Sequence, residues 1–413
     1  MNTSQPYDAP LSDTDPHFTD GRVETAAGRS WDLPTAPHRF VALPRHPASG
    51  LTEHLTQVDD TLTQALADLS RLWLTELDDR GHLDVLAERD LPVFITQLLT
   101  SGGKRIRPAM CYLGWLGAGA PSNGSAAGGS TAGSGREDVV TVGAALELLH
   151  IFALIHDDVM DESDSRRGRP SVHAQAAQLH RTEGALGSAQ RFGESIAILA
   201  GDLAHAEADH LAAGLPAEMR RIWRVLVVEL VCGQRRDLTG SVAGRRDLNH
   251  ARQVARMKSG SYTVERPLQL GAAAAGASPA VRDSLARYGR EVGEAFALRD
   301  DLLGVWGDPV LTGKPAGDDL ISGKPTVIMS LAQERVAGPT RLTLDRVGTP
   351  DLTAADVALL QAELRDCGVV DAVEAMISHH LDTALAALDE ELLHPEGIAG
   401  LTQMAHQIAW RNR

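Results

Sequence analysis

Aromatic residues are scarce in this sequence, at 4% of 413 positions, and cysteine occurs three times, at Cys111, Cys232 and Cys367. The first shortage disfavours a β-rich protein, because strands draw on aromatic and β-branched side chains. The second, odd in number and widely spaced, yields neither a disulfide framework nor a zinc-ligand spacing, so a reducing cytoplasm is the expected compartment. Basic charge is in deficit: 39 Lys and Arg face 55 Asp and Glu, a formal net charge of −16. That balance argues against a nucleic-acid or anionic-membrane surface, while leaving room for a local cluster of cations that holds phosphate. Long apolar runs are also missing. Ile222–Gly233 is interrupted by Arg224 and Glu229 and is too short to span a bilayer, so no transmembrane segment is expected. The start, MNTSQPYDAPLSD, has neither the basic nor the apolar region of a secretory signal.

What is abundant is Ala, Leu and Gly in helical register. Residues 1–50 are rich in Pro, Asp, Ser, Thr and His without periodicity and read as a mostly disordered extension, with Phe40–Pro47 able to dock on the body. From Leu51 onward Leu55, Val58, Leu62, Leu66, Leu69, Leu72 and Leu74 recur mostly at three- and four-residue steps. Comparable patterns cover Leu91–Leu99, Val139–Met160, Ser195–Ala213, Ile222–Gly233, Val254–Ala275, Val281–Leu303, Thr326–Ala337, Ala354–Cys367 and Val370–Leu393. The stretch GAGAPSNGSAAGGSTAGSG opens a flexible loop over 117–137. No alternating run suggests a substantial sheet, and no repeat of fixed period occurs. The expected architecture is all-α, one large helical bundle over 51–413.

Two acidic segments carry the chemistry. His150–His173 reads HIFALIHDDVMDESDSRRGRPSVH, with Asp157 and Asp161 one helical turn apart and Asp158 adjacent. Three carboxylates beside an apolar stretch repel one another unless a cation compensates them. Oxygen ligands on a rigid helix suit Mg²⁺, which takes one or two carboxylates and fills its other positions with water and phosphate oxygens. A lone DDxxD is equally a solvated helix end, and Arg166 and Arg167 could simply pair with Asp161, Glu162 or Asp164. Two guanidiniums beside a metal-binding cluster nevertheless meet the needs of an oligophosphate.

Glu294–Thr326 repeats the logic, closing an apolar helix with Asp300 and Asp301 before a Gly-rich loop with Lys314, Asp318, Asp319 and Lys324. Upstream, SGGKRIRP places Lys104, Arg105 and Arg107 behind two glycines that let the backbone approach an anion. It lacks the spaced glycine and the Ser/Thr of a P-loop.

Taken together, these segments resemble the trans-isoprenyl diphosphate synthase, or polyprenyl synthetase, family over roughly residues 55–400. The motifs GGKRIRP, DDVMD with RRGRP, GQRRD, MKSGSY, and DDLLG with GKPAGDD and GKPT occur in the family's order. The resemblance implies an isoprenoid-synthase-type bundle that condenses isopentenyl diphosphate with an allylic diphosphate, requires Mg²⁺ and forms a homodimer. It implies that Lys104, Arg107, His150 and Arg167 hold isopentenyl diphosphate, while Arg166, Lys258, Lys314 and Lys324 hold the allylic diphosphate. Asp157, Asp161 and Asp300 would bind metal, joined by Asp158 and Asp301, with Gln234 and Asp237 behind them. Phe152 and Ala153, just before the first motif, would line the tail pocket in the manner of one class of geranylgeranyl diphosphate synthase.

Two positions depart from the family pattern. The last position of the second motif is Gly304 instead of Asp, and Ala297 replaces a usual Gln. These favour, as a rival reading, a non-catalytic partner of a prenyl synthase; a farnesyl or longer-chain product is the alternative within the same reaction. A terpene cyclase is disfavoured because, of the two internal asparagines, Asn123 lies in the 117–137 loop and Asn249 is followed by Gln253 and Met257, so neither starts an Asn-x₃-Ser/Thr-x₃-Glu motif.

Overall fold

A stripe of Leu and Val at helical spacing must find a partner face, and helices of this length find it in one another. The computed structural model describes residues 22–24, 30–32, 48, 50–76, 85–86, 89–120, 132–309 and 316–411. Its helices are α1 (Leu51–Glu76), α2 (Leu91–Thr100), α3 (Ile106–Gly117), α4 (Ala132–Met160), α5 (Val172–Thr182), α6 (Ala189–Ala213), α7 (Ala217–Val242) and α8 (Leu248–Val254). A π-helical segment, Ala255–Glu265, leads into α9 (Arg266–Ala274) and α10 (Pro279–Trp306). There follow α11 (Asp318–Ile321), α12 (Val327–Arg335), α13 (Thr340–Leu344), α14 (Ala354–Asp366), α15 (Val369–Ala386) and α16 (Pro395–Ala409). The expected all-α bundle is what forms.

Strands are limited, among the described residues, to two antiparallel pairs. The first, β1 (Arg22–Glu24) with β2 (Ser30–Asp32), falls inside the extension read as mostly disordered; the rest of that extension up to residue 47 lies outside the described residues. The second, β3 (Ser165–Arg166) with β4 (Arg169–Pro170), is a two-residue hairpin whose tip is Arg167–Gly168.

α3 and α9 cross at the centre of the core, beside the buried Tyr112 and Trp115. The crossing needs glycine on both sides. A Cβ on Gly271 would overlap the Cys111 carbonyl oxygen and lie 2.7 Å from Trp115 N, while one on Gly114 would lie 2.9 Å from Leu268 Cα. Because α3 is buried on almost every side, it shows no polar face and hence no period in the sequence.

Among the differences from the sequence reading, three concern α3, α4 and the run before α9. α4 begins at Ala132, inside the stretch read as loop, and α3 runs to Gly117, where that loop was to start. The cause at α4 is tertiary: Arg136 pairs with Glu53 at 2.9 Å, and Gly135 lies so close to α9 that a Cβ would be 2.5 Å from Ala274 O. The run Val254–Ala275, read as uninterrupted α-helix, widens into the π segment. α4 is long and apolar enough over Gly135–Met160 to cross a bilayer, yet 61% of its apolar window is buried inside the bundle, as a core helix requires.

The backbone contact between α3 and α9 yields a test. Gly271→Ala should lower unfolding free energy in urea by about 3 kcal/mol or more, since backbone and not a side chain must move. Gly214→Ala, where no atom lies within 4 Å of the added Cβ, should stay within about 1 kcal/mol of wild type.

Candidate active site

α4 ends in carboxylates, at the pole of the helix dipole that disfavours negative charge, while α10 carries Asp300 and Asp301 just before its last turn, and neither helix has a basic residue in its last turn. The compensating cations come from elsewhere in the chain. Lys258, from the π segment, donates to Asp157 Oδ1 at 2.9 Å and to Asp237 Oδ2 of α7 at 2.5 Å. Gln234, one helical turn before Asp237, donates to the same Asp157 oxygen at 3.2 Å. Lys324, after α11, stands 2.8 Å from Asp161 Oδ2 and 3.7 Å from Asp319 Oδ1. Arg166 of β3 forks onto Asp158 through Nε at 2.8 Å and through Nη2, and reaches within 3.5 Å of Asp157 Oδ2.

Electrostatics follow from this pairing. Burial pushes the Asp157 carboxyl up, but Lys258, Lys324 and Arg166 outweigh it and hold the group well below the usual carboxylate range. Lys258 and Lys324 are desolvated too, yet Asp157 and Asp319 respectively lead the carboxylates that raise them above an ordinary lysine. Asp301 is the opposite case. Burial first, then the charge of Asp319, drive its carboxyl well above the normal range, although it accepts from Val327 N at 3.2 Å.

Asp300 is half exposed and ion-pairs with Arg411, whose guanidinium also lies 3.8 Å over the Phe296 ring and donates to the Phe296 carbonyl at 3.2 Å. Asp158 and Asp300 are thus each held by an arginine, as Asp157 and Asp161 are by lysines. The sequence offered Asp161, Glu162 or Asp164 as local partners of Arg166; its ion pairs are instead with Asp158 and Asp157.

The fit of a metal can be judged from the donors. Among the described residues no three His, Cys, Asp or Glu side chains converge as a ready-made metal cluster. The donors are carboxylate oxygens only, and Asp161 Oδ2 is buried with no hydrogen-bond donor, its lysine neighbour lacking the geometry. One or two carboxylates with room for outside oxygens is the arrangement Mg²⁺ uses, so the residues fit that ion.

The second cluster centres on Tyr262. Arg107 donates to the Tyr262 hydroxyl and, at 3.0 Å, to Thr263 Oγ1, and the hydroxyl lies 3.2 Å from His150 Nδ1. Burial, reinforced by Arg107, Arg167 and Arg166, holds His150 neutral. Where the phenol donates to Nδ1, Nε2–H is the donor left on His150. The π turns matter here, because Lys258 and Tyr262 leave one short segment toward different clusters. They are reached by close packing: a Cβ on Gly233 would lie 2.7 Å from the Met257 carbonyl carbon, and one on Gly260 2.7 Å from Gly293 O.

Two strained turns flank this cluster. Arg167 and Gly168 have φ of 54° and 71°, the left-handed pair of a type I′ hairpin, and Gly102 and Arg105 have φ of 104° and 48°. Arginine in that region costs energy that the surroundings must supply. Arg105 is buried in an ion triad with Glu147 at 2.7 Å and Asp59 at 3.2 Å, which removes it from the cations of SGGKRIRP. Arg167 donates to Leu98 O at 3.0 Å, and burial, with Arg105 and Arg166 nearby, lowers its guanidinium to about 10. Lys104 is half-buried in the same turn. On the outer side of the Arg166–Asp158 pair, Gln97, Ser101 and Gln175 border a cleft of about 880 Å³ between α2 and α5.

Below the first acidic motif, the Phe152 ring stacks on His205 of α6 at 4.6 Å and meets the edge of His156 at 4.7 Å; Ala153 is half-buried beside it. Lys314 lies outside the described residues, and Ala297 is buried within α10. Tyr262, Arg411 and His205 were not singled out from the sequence. Tyr262 lies in the MKSGSY segment and could have been found there; Arg411 and His205 carried no local signal.

An all-helical bundle with acidic pairs toward the ends of α4 and α10, and with Lys258 and Lys324 held among carboxylates, defines the isoprenoid-synthase class of fold. The polyprenyl synthetase family model matches residues 89–358, and the chain belongs to that family. It is 32% identical over 305 residues to a geranylgeranyl diphosphate synthase of Mycobacterium tuberculosis (strain ATCC 25618 / H37Rv), covering 72% of this chain and 78% of that one. It is 33% identical over 303 residues to a (2E,6E)-farnesyl diphosphate synthase of the same strain, covering 70% and 72%. Among solved structures, geranylgeranyl pyrophosphate synthase from Corynebacterium glutamicum, complexed with isoprenyl diphosphate and magnesium, superposes with a TM-score of 0.77 at 36% identity, over 87% of this chain and 99% of that one. The chain is a prenyltransferase acting on isoprenoid diphosphates, in a family that uses a divalent metal.

Lys258 offers a direct check on the charge balance. Lys258→Met leaves Asp157 and Asp237 without their shared cation and should cost about 3–5 kcal/mol of stability in urea with EDTA present. A loss under about 1 kcal/mol would show that water or a rearranged Lys324 already carries the compensation.

Proposed function

We propose that this protein condenses isopentenyl diphosphate with an allylic diphosphate, using Mg²⁺, and that its main product is geranylgeranyl diphosphate. The observation that carries the product assignment is the floor beneath the first acidic motif, where one aromatic, Phe152, is braced by His205 and followed by the small Ala153. A second aromatic at position 153 would shorten that space. The Mycobacterium and Corynebacterium geranylgeranyl synthases support the assignment, while the farnesyl synthase at 33% identity favours the fifteen-carbon product as the second reading.

In this reading Asp157 and Asp161 on one side and Asp300 on the other would hold Mg²⁺, with Asp158 and Asp301 behind them. Bound there, the ion supplies electrophilic pull on diphosphate oxygens and so improves the leaving group. Lys258, Lys324 and Arg166 would exchange carboxylate partners for oxygens of the allylic diphosphate, and Lys314 belongs with them by the motif. Gln234 and Asp237 keep Asp157 and Lys258 in position. Lys104, Arg107, Arg167 and the Nε2–H of His150 would hold isopentenyl diphosphate through charge-assisted hydrogen bonds.

The allylic C–O bond breaks as pyrophosphate leaves, and the isopentenyl double bond supplies the electron pair for the new C–C bond. A proton is then lost from the resulting cation, for which departing pyrophosphate is base enough. The chain's part in these steps is to place the double bond against the allylic carbon and to keep water out. The exposed Ile198 and Leu199 of α6 and Val228 and Val231 of α7 support pairing of two copies through these helices, which sedimentation would test.

Purified protein given Mg²⁺, isopentenyl diphosphate and dimethylallyl, geranyl or farnesyl diphosphate should yield mainly a twenty-carbon alcohol after dephosphorylation. Phe152→Ala should lengthen the product, and an unchanged length would remove Phe152 as the floor. Asp157→Asn should lower kcat by about 100-fold or more, the scale of a lost group that stabilises developing charge. Absence of turnover with every primer, from folded protein, would instead favour a non-catalytic partner.

A further inference from the structure

Position 304 is where the family's second acidic motif carries its last carboxylate, and here it is glycine. The space is not empty. A Cβ built on Gly304 would overlap Asp319 Oδ2, with Asp319 Cγ 2.5 Å and Oδ1 3.1 Å away. The carboxylate of Asp319 therefore occupies the volume into which a side chain at 304 would project. Gly304 follows Asp301 by three residues on α10, so that volume lies on the same face as the Asp301 side chain. An Asp at 304 would have to move the end of the Asp319 side chain aside, and with glycine at 304 the Asp319 carboxylate takes that space.

The loop that carries Asp319 is fixed in place. Gly317 enters α11 with φ of 83°, its carbonyl accepts from Leu320 N at 3.0 Å and from Ile321 N at 3.1 Å, and Leu320 is fully buried. Lys324 N donates to the Asp319 carbonyl at 3.1 Å, and the Lys324 ammonium lies between the Asp319 carboxylate and Asp161 of the first motif. The Asp319 carboxylate thus faces the first acidic motif across one lysine, at the position where the second motif lacks its own group.

We propose that Asp319 is the third carboxylate of the second acidic site, supplied from the loop after α10 in place of the residue that position 304 lacks. This rests on the metal-dependent reading above and assigns Asp319 a metal-holding role toward the divalent ion. The departure at Gly304 is then a relocation of the carboxylate and no loss of it.

The test measures Mn²⁺ bound in the presence of inorganic pyrophosphate, by electron paramagnetic resonance, with circular dichroism to confirm folding. Asp319→Asn, nearly the same shape, should weaken the last-bound Mn²⁺ by about tenfold or more, as loss of a group in a metal site does. Gly304→Asp combined with Asp319→Ala returns a carboxylate to the same volume from α10 and should recover that ion. Wild-type Mn²⁺ binding in Asp319→Asn, or no recovery in the folded double variant, would overturn the proposal while leaving the prenyltransferase reading intact. If the wild-type protein binds no Mn²⁺ with pyrophosphate, the metal-dependent reading fails and this assignment fails with it.

Discussion

Carboxylates gathered at the end of α4 and shortly before the end of α10 are the constraint around which the site is arranged. A buried carboxylate without a partner is too costly to keep ionised, and a helix C-terminus adds to that cost. α4 and α10 supply none of the relief themselves. It arrives from the hairpin after α4, from the π segment, from the loop after α11 and from the chain's last described residues, as Arg166, Lys258, Lys324 and Arg411. Each cation brings its element to one of these carboxylates, so the charge balance also dictates how distant parts of the chain meet. The same balance is what a metal and a diphosphate would take over, since they bring both signs of charge in fixed proportion.

How far the sequence foretold this depends on the kind of signal each residue leaves. Long amphipathic helices such as α1 were legible because burial on one side imposes a period, whereas α3, buried all round, left none. Asp157, Asp161, Asp300 and Asp301 were legible because a motif keeps spacing on one helix. Arg105 misled, since its position behind GG suggests an anion partner and its real partners, Asp59 and Glu147, come from other helices. The widening of Val254–Ala275 into π turns was invisible, because a one-residue change in hydrogen bonding barely alters an apolar pattern. Arg411 could not be placed by any local rule, because only the folded chain brings residue 411 beside Asp300.

The strained turns explain why the second cluster sits where it does. Arg167 and Arg105 both accept left-handed backbone that glycine would take at no cost. Arg167 is thereby fixed against Leu98 O, and Arg105 against Glu147, with both guanidiniums close to where a Cβ on Gly103 would lie. Energy spent on backbone conformation here keeps cations close together against their mutual repulsion, and such a group has a standing need for an anion. Tyr262 ties that cluster to the π segment, so the groups proposed for the two diphosphates are built on shared backbone.

The glycines of α7, the π segment and α10 have one more effect. Where Gly233 meets Met257 and Gly260 meets Gly293, backbone rests on backbone with no side chain between. Such a wall has no rotamers, and so it cannot widen or narrow in answer to its contents without displacing whole helices. Phe152, His205 and Ala153 are of another kind, being side chains that one substitution can reshape. In the function proposed above, the rigid part would fix what happens at the reacting carbons, and the adjustable part would govern only how much chain can trail behind them. A lineage built this way could change the length of what it makes without disturbing how it makes it.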